Sequence, residues 1–518
     1  MKNNPLRLWT VLTLCLCLFS SCGNVPETGS HQPVNGLPDS IGDVLVFKDG
    51  SLLKSDGSLF APDVYDPAAP SPLYTADYAF SPASGRLLYE DTAGVLWLTD
   101  GRSRRKIGEN VFSWHTAAEL SSVAFTLADQ GSDVYGSLFL FDDGIITPVD
   151  ADVLLASVRF SQDGSVLFYE KPHGQTSRLF AFADGKKSLR AEDALPLLWV
   201  SDDGSACVTG QADGSAYLYR FYARDFKKSL TVYGAAEAAV SEDQRFVWLR
   251  TQGGLLKAIS LDNLKDKTVA ENVSAFSVSS VTHNGRGAVY LVCDNEDQEL
   301  YSLYYTDVSG ANVRLMHAAS ADAASRVALN NVNNAGYAVS GDGSRTNGQL
   351  CRIGITKDGL TSQTLDTGTV ALPTYYESSD TLLYVKDVSV SDGTLFLCDG
   401  SSVRALGTVG LIYENGSPCP AAQASKDGQS VFLAHAVTEQ TVGLESVWVG
   451  DPVIVSDNAE RMLGTDWVLS SLWAPAMTGD FSVIYGLALS DDGLILHKVT
   501  DSEDTVLFSG VDGFLTVN

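Results

Sequence analysis

Ser81, Ser121, Ser161, Ser201 and Ser241 stand forty residues apart, and Ser40 precedes the series by forty-one. A fixed period of this length means one supersecondary unit copied many times, so the chain must fold as an array of small modules. Three of the serines open explicit turn motifs: SQDG at 161–164, SDDG at 201–204 and the variant SEDQ at 241–244. Looser echoes follow in THNG (282–285), NNAG (333–336), SSDT (378–381), SKDG (425–428) and MTGD (477–480). Asp-Gly and Asn-Gly favour tight turns because Gly accepts positive φ and Asp or Asn bonds nearby amides. Another SDDG, at 490–493, is out of phase and reads as the next hairpin turn of its unit.

After each turn comes an apolar, β-branched and aromatic run: SVLFYEK (165–171), RFVWLR (245–250), GAVYLVC (287–293), TLLYVKD (381–387), SVFLAHA (430–436) and SVIYGLA (482–488). About ten residues later a second run appears, as in RLFAFADG (178–185), AYLYRFYA (216–223), ELYSLYYTD (299–307) and TLFLCDG (394–400). Several alternate apolar with polar residues, the period of a strand with one buried face. Helical periodicity is nearly absent, with Ala318 to Ala324 the one short candidate. Several short strands repeating every forty-odd residues are the signature of a β-propeller blade, so the expected fold class is all-β.

The order of these features (Ser-x-Asp-Gly, an apolar strand, then a second strand ending near Asp) resembles the WD40-like repeat of TolB-type propellers. The same repeat builds the propellers of the prolyl oligopeptidase family. The likeness covers nearly the whole chain from residue 40 and is sharpest in the units at 161, 201 and 241. It implies an architecture in which the turn residues hold each blade together, and it says little about activity. The Trp-Asp pairs with a preceding Gly-His that mark true WD40 blades are missing. No sign is seen of the small α/β domain that precedes the propeller in TolB, so a TolB role is not carried over.

Eleven units start near 40, 81, 121, 161, 201, 241, 282, 333, 378, 425 and 478. Propellers typically hold about four to eight blades, so eleven units predict two lobes in tandem. The spacing is nearly rigid through 282 and then loosens, and 310–325 (GANVRLMHAASADAAS) reads as a junction. The expected division is a seven-unit lobe over 40–318 and a shorter lobe over 326–518. A single large ring, or rings joined differently across this point, stays open.

The first 21 residues are read as a signal peptide, with Lys2 and Arg7 as its basic region and Leu8 to Phe19 as its apolar stretch. That stretch is shorter than the roughly 20 apolar residues a membrane span needs. The ending Leu18-Phe19-Ser20-Ser21-Cys22-Gly23 resembles the lipobox of bacterial lipoproteins, with Phe19 where Leu is commoner. The resemblance implies diacylglycerol on the Cys22 thiol and cleavage after Ser21; an ordinary secretory signal with a chance cysteine is the alternative. Residues 22–39 are rich in Pro, Gly, Asn and Ser and are expected to form a flexible tether.

Removing Lys2 and Arg7 from 35 basic residues leaves 33 against 63 acidic ones, formally −30. That balance opposes attraction to nucleic acid or anionic lipid and suits an extracytoplasmic domain. Cys207, Cys293, Cys351, Cys398 and Cys419 follow the anchor, an odd number without a CxxC pair. Four of them sit in strand-like runs, where a thiol behaves as a small hydrophobe. A disulfide framework is not expected, although one bridge stays open.

A peptidase relative would carry GxSxG on a strand-to-helix turn, and no such pentapeptide occurs; Gly341-Asp342-Gly343-Ser344 reads as a loop. Ser241 to Trp248 partly resembles the Asp-box of sialidases, with Arg245 in place of its glycine, and is treated as a structural turn. His31, His115, His173, His283, His317, His435 and His497 are scattered without metal-pair spacing. Arg102, Arg104, Arg105 and Lys106 form the one basic cluster, a solvated turn or a docking spot for phosphate or carboxylate. Trp97, Trp114, Trp199, Trp248, Trp448, Trp467 and Trp473 read first as core between blades and second as a stacking face for sugar or peptide.

The expected function is a lipid-anchored, extracytoplasmic, non-catalytic propeller that binds protein, peptide or glycan, held to the membrane through Cys22. No cofactor, metal or catalytic residue is assigned. The alternative is a carbohydrate-active hydrolase with a site in the propeller channel, where carboxylates can meet from distant positions. A quinone-cofactor propeller ranks last, because its Gly-x-x-x-Trp blade repeat is not seen.

Overall fold

A computed structural model describes residues 37–518, apart from 63–77, 282–286, 320–326, 341–347 and runs of one to four residues elsewhere. The described chain is almost entirely antiparallel strand, with short 3-10 turns at Ala118–Leu120 and Leu155–Ser157. The apolar runs of the sequence are strands: Leu167–His173, Cys207–Asp213, Thr381–Lys386, Phe246–Thr251 and Val483–Ser490 follow turns, and Thr176–Ala183, Ala216–Tyr222 and Asp392–Cys398 are the hairpin partners of the first three. The second SDDG closes the hairpin between Val483–Ser490 and Gly493–Thr500.

Eleven four-stranded blades can be traced among the described residues: 43–62 with 513–517, 78–109, 113–154, 159–194, 197–240, 229–270, 273–319, 327–368, 371–414, 422–462 and 476–511. The fold is a β-propeller. The fifth and sixth blades share the long strand Ser229–Val240, which ends one sheet and begins the next. Most first strands, such as Arg159–Phe160 and Leu197–Val200, are short, whereas a fourth strand such as Ile145–Leu154 is largely exposed, so the first strand is the inner edge of its blade.

Each repeated turn joins the first strand of a blade to the second. The sequence repeat therefore runs through strands two, three and four and then supplies the first strand of the next blade. The opening repeat lacks a first strand of its own, and the C-terminus provides it. Asp43 to Phe47 pair antiparallel with Val517 to Gly513.

The turns share one hydrogen-bond pattern. In the fourth blade the buried Ser161 hydroxyl donates to Asp163 Oδ1 at 2.7 Å and accepts the Val166 amide at 2.9 Å. Gly164 closes the turn by donating its amide to the Ser161 carbonyl at 2.9 Å. It has φ +72°, and a Cβ there would lie 2.5 Å from the Ala117 Cβ of the preceding turn, so both backbone and neighbour demand glycine. Gln244 takes the same place in the sixth blade at φ 55°, and its side chain carbonyl accepts the Asp202 amide at 2.7 Å. That bond to the fifth blade's turn offsets part of the strain.

The chain divides into two compact units. One holds Asn110–Gly343 and Ile353–Ser362, and the other Pro26–Glu109, Ser344–Arg352 and Gln363–Asn518. This differs from lobes over 40–318 and 326–518, because the C-terminal strand completes the first blade and residues from both ends share one unit. In the expected junction, 312–319 form the strand Asn312–Ala319, and 320–326 lie outside the described residues.

Within each unit, blades are held by apolar side chains from facing sheets. Val208, Phe221, Val247 and Ile259 join the fifth and sixth blades in the first unit. Val46, Leu87, Val449 and Leu496 belong to one cluster in the second. Each such side chain contributes roughly 1.5–3 kcal/mol of transfer free energy.

Candidate binding site on the first strands

The residue two before the turn occupies one register position on successive first strands. It is Ala79 in the second blade, Trp199 in the fifth, Ala239 in the sixth, Gln423 in the tenth and Ala476 in the eleventh. In the fourth blade it is Arg159, opposite Phe168. His115 holds the matching place in the third blade, opposite Ala124, where the turn is longer.

Arg159 is enclosed by protein yet keeps part of its surface open to solvent. Burial lowers its pKa, and the nearby Glu170 carboxyl works the other way. One guanidinium N–H is donated to the Val158 carbonyl at 3.0 Å. Enclosure, with a smaller contribution from the Arg159 charge, pulls His115 down to about 3, so its imidazole is neutral at physiological pH.

Glu170 is 3% exposed, and burial raises its pKa. A raised carboxyl suits a general acid. Here, however, Oε2 accepts the Ser177 hydroxyl and Oε1 the Leu197 amide, both at 2.5 Å. Leu197 begins the fifth blade, so Glu170 ties two blades together. The Ser157 hydroxyl adds a bond from the Glu170 amide at 2.8 Å.

Other carboxylates are engaged in the same way. Asp150, in the third blade's outer strand, accepts Tyr169 Oη at 2.9 Å and the ammonium groups of Lys171 at 3.0 Å and Lys187 at 2.9 Å. Asp366 repeats the device with Tyr384 at 2.5 Å and Lys386 at 2.7 Å. Both tyrosines stack on a phenylalanine of the neighbouring strand, Phe180 and Phe396.

Cys22 and the tether up to residue 36 lie outside the described residues, as do His31, His283, Trp473 and residues 341–344. The basic cluster is divided: Arg104 stands 3.8 Å over the Trp97 ring and 3.6 Å from Asp91, while Lys106 pairs with Glu109. His435 bonds the Thr408 carbonyl and Glu460, and His497 bonds Asp504 at 2.9 Å. Ser241 bonds Asp243 at 2.7 Å as in the other turns, and Trp248 is fully buried in core opposite Ala239. Trp467 is also core, and Trp97, Trp114, Trp199 and Trp448 are half-buried. Among the described cysteines, Cys207, Cys293 and Cys351 are free thiols, and Cys207 and Cys398 are buried. Among the described residues no cluster of three metal-ligating side chains occurs, and no helix is long and apolar enough to cross a membrane.

Sequence reading placed His115 among scattered histidines and passed over Arg159. A charged residue at an offset otherwise held by Ala, Trp or Gln was the available signal.

No family model and no curated protein matches the sequence. Solved structures do. A eukaryotic initiation factor is 10% identical over 72% of this chain and 96% of that one, with a TM-score of 0.38. An oligogalacturonate lyase in complex with manganese is 11% identical over 65% and 96%, with a TM-score of 0.31. TolB from Acinetobacter baumannii is 14% identical over 47% of this chain and 64% of its own length, with a TM-score of 0.22. The propeller fold of this chain rests on the blades traced above.

Proposed function

We propose that this chain is a lipid-anchored, extracytoplasmic β-propeller that acts as a non-catalytic binding module for protein, peptide or glycan. The observation that carries the non-catalytic reading is the engagement of its carboxylates. Asp163, Asp243, Asp427 and Asp480 close turns, Asp150 and Asp366 hold tyrosine and lysine of the following blade, and Glu170 joins two blades. Such groups stabilise the scaffold and are not poised over a substrate. The lipobox-like sequence ending at Cys22 supports the anchor, and the acidic balance supports a place away from nucleic acid.

The test is mass spectrometry of the mature N-terminus from a bacterial host, with a pull-down from intact envelopes. An acylated Cys22, released to the soluble fraction by Cys22→Ser, is expected; a mature terminus without lipid overturns the anchor. The second reading, a hydrolase, draws on the raised Glu170 carboxyl. Turnover of an oligosaccharide panel that disappears in Glu170→Gln, with the fold kept, would establish that reading and sink the first.

A further inference from the structure

We propose that the first strands around Arg159 bind an organic monocarboxylate, with the Arg159 guanidinium as the anion's partner. This rests on the binding-module reading and names the chemistry of its ligand.

Arginine carries five N–H donors, and Arg159 donates one of them, to Val158. No carboxylate lies within ion-pairing distance of it among the described residues. Several other sheltered cations of this acidic chain are paired: Arg250 with Glu237 at 3.0 Å, Lys171 with Asp150 at 3.0 Å, Lys386 with Asp366 at 2.7 Å, and Arg352 with Asp380, while Arg190 lies over the Phe226 ring. Glu170 is the anion that Arg159 feels, but both its oxygens are held by Ser177 and Leu197. An enclosed cation without a close partner is costly, and a ligand anion relieves that cost. The register sharpens the point, because Ala79, Ala239 and Ala476 show that the position needs no charge for the blade to form.

The ligand class follows from the charges. A planar guanidinium fork matches a carboxylate with two parallel hydrogen bonds. One cation near the Glu170 carboxyl leaves little net positive charge, so a monoanion fits better than dianionic phosphate. The same register holds His115, neutral, in the blade before and Trp199 in the blade after, so the carbon part of the ligand meets rings.

The experiment uses the full chain at pH 7 and constant ionic strength, with phenylacetate, acetate and inorganic phosphate as probes. Phenylacetate is expected to raise the Tm by a few degrees at saturating concentration, acetate by less, and phosphate no more than the salt control. Arg159→Met is expected to lose at least tenfold in phenylacetate affinity by calorimetry while melting at or above the parent without ligand. Arg159→Lys keeps the charge without the fork and should bind more weakly than the parent. The site is overturned if the parent shows no carboxylate-dependent shift, if phosphate matches phenylacetate, if Arg159→Met binds unchanged, or if Arg159→Met melts well below the parent without ligand. An envelope partner captured equally by parent and Arg159→Met would leave the binding-module reading standing even where one of these results removes the site.

Discussion

The Ser161 hydroxyl and the Asp163 carboxylate form the hub of the fourth blade's turn, 2.7 Å apart, with the Val166 amide bonded back to the same hydroxyl. Ser201, Ser241 and Ser425 repeat the arrangement, and Thr478 reproduces it in the eleventh blade at 2.8 Å to Asp480 and 3.1 Å to the Val483 amide. A hydroxyl is the conserved chemical requirement across these copies, and a methyl beside it is tolerated.

Ser161→Ala strands the Val166 amide and removes one donor from Asp163. Leaving a buried polar group without its partner costs roughly 1–3 kcal/mol. The expected result is a loss of that size in urea unfolding, against less than about 1 kcal/mol for Ser161→Thr, which copies the eleventh blade. Equal losses for the two variants would show that side-chain volume, not the hydroxyl, governs the site.

Asp150 supplies a pH-dependent prediction. Burial opposes its charge, but the bonds from Lys187, Lys171 and Tyr169 outweigh burial, so its pKa lies below the usual carboxylate value. The folded state thus favours the ionised form. Its stabilisation is fully present above the unfolded pKa and is lost as pH falls through the folded one. Asp150→Asn should destabilise by on the order of 2 kcal/mol at pH 7, between exposed and buried pairs. Denaturant melts at pH 7 and near pH 2 check this: the gap between parent and variant closes in acid. A gap that stays constant would mean that hydrogen bonding without charge holds the two blades.

The strands were legible because period-two alternation and Ser-x-Asp-Gly turns are local signals. Leu167–His173 and Phe246–Thr251 fall within one or two residues of the runs that announced them. The fate of the last strand was not legible, since Gly513–Val517 pairs with Asp43–Lys48 across the whole chain and nothing local in GFLTV names that partner. Arg159 and His115 were hidden for the same reason: they stand 44 residues apart in sequence and meet only through blade register. The cross-blade roles of Asp150 and Glu170 likewise depend on which strand lies opposite.

His115 gives a second pH test with the opposite group type. Its folded pKa, about 3, lies below the ordinary histidine value of about 6.5 because burial disfavours the cation. Between those values the unfolded chain binds the proton and the folded chain does not. Stability therefore rises with pH across this window, by up to about 1.4 kcal/mol per pH unit where the difference is a whole proton. His115→Leu should flatten the dependence between pH 4.5 and 6.5 by about 1–2 kcal/mol, allowing for the partial solvent access of the ring. Identical slopes for parent and variant would place the imidazole in contact with bulk water.

Closure of the first blade can be tested by removing its first strand. Phe514 is 8% exposed and belongs to the cluster holding Val44, Val46, Leu87 and Leu496. The Gly42 amide donates to the Val517 carbonyl at 2.7 Å, and the Asn518 amide to the Pro82 carbonyl at 3.0 Å. Deleting 513–518 therefore exposes the edge of Asp43–Lys48 and uncovers fully buried valines. The apolar loss alone is several kcal/mol, a large share of the roughly 5–15 kcal/mol that stabilises a folded domain. The truncated chain should unfold at clearly lower urea, with its free strand edge promoting aggregation. A peptide spanning 513–518, added in excess, should restore part of the midpoint because its backbone groups complete the same ladder. An unshifted midpoint in the truncated chain would mean that the C-terminal strand decorates the first blade without closing it.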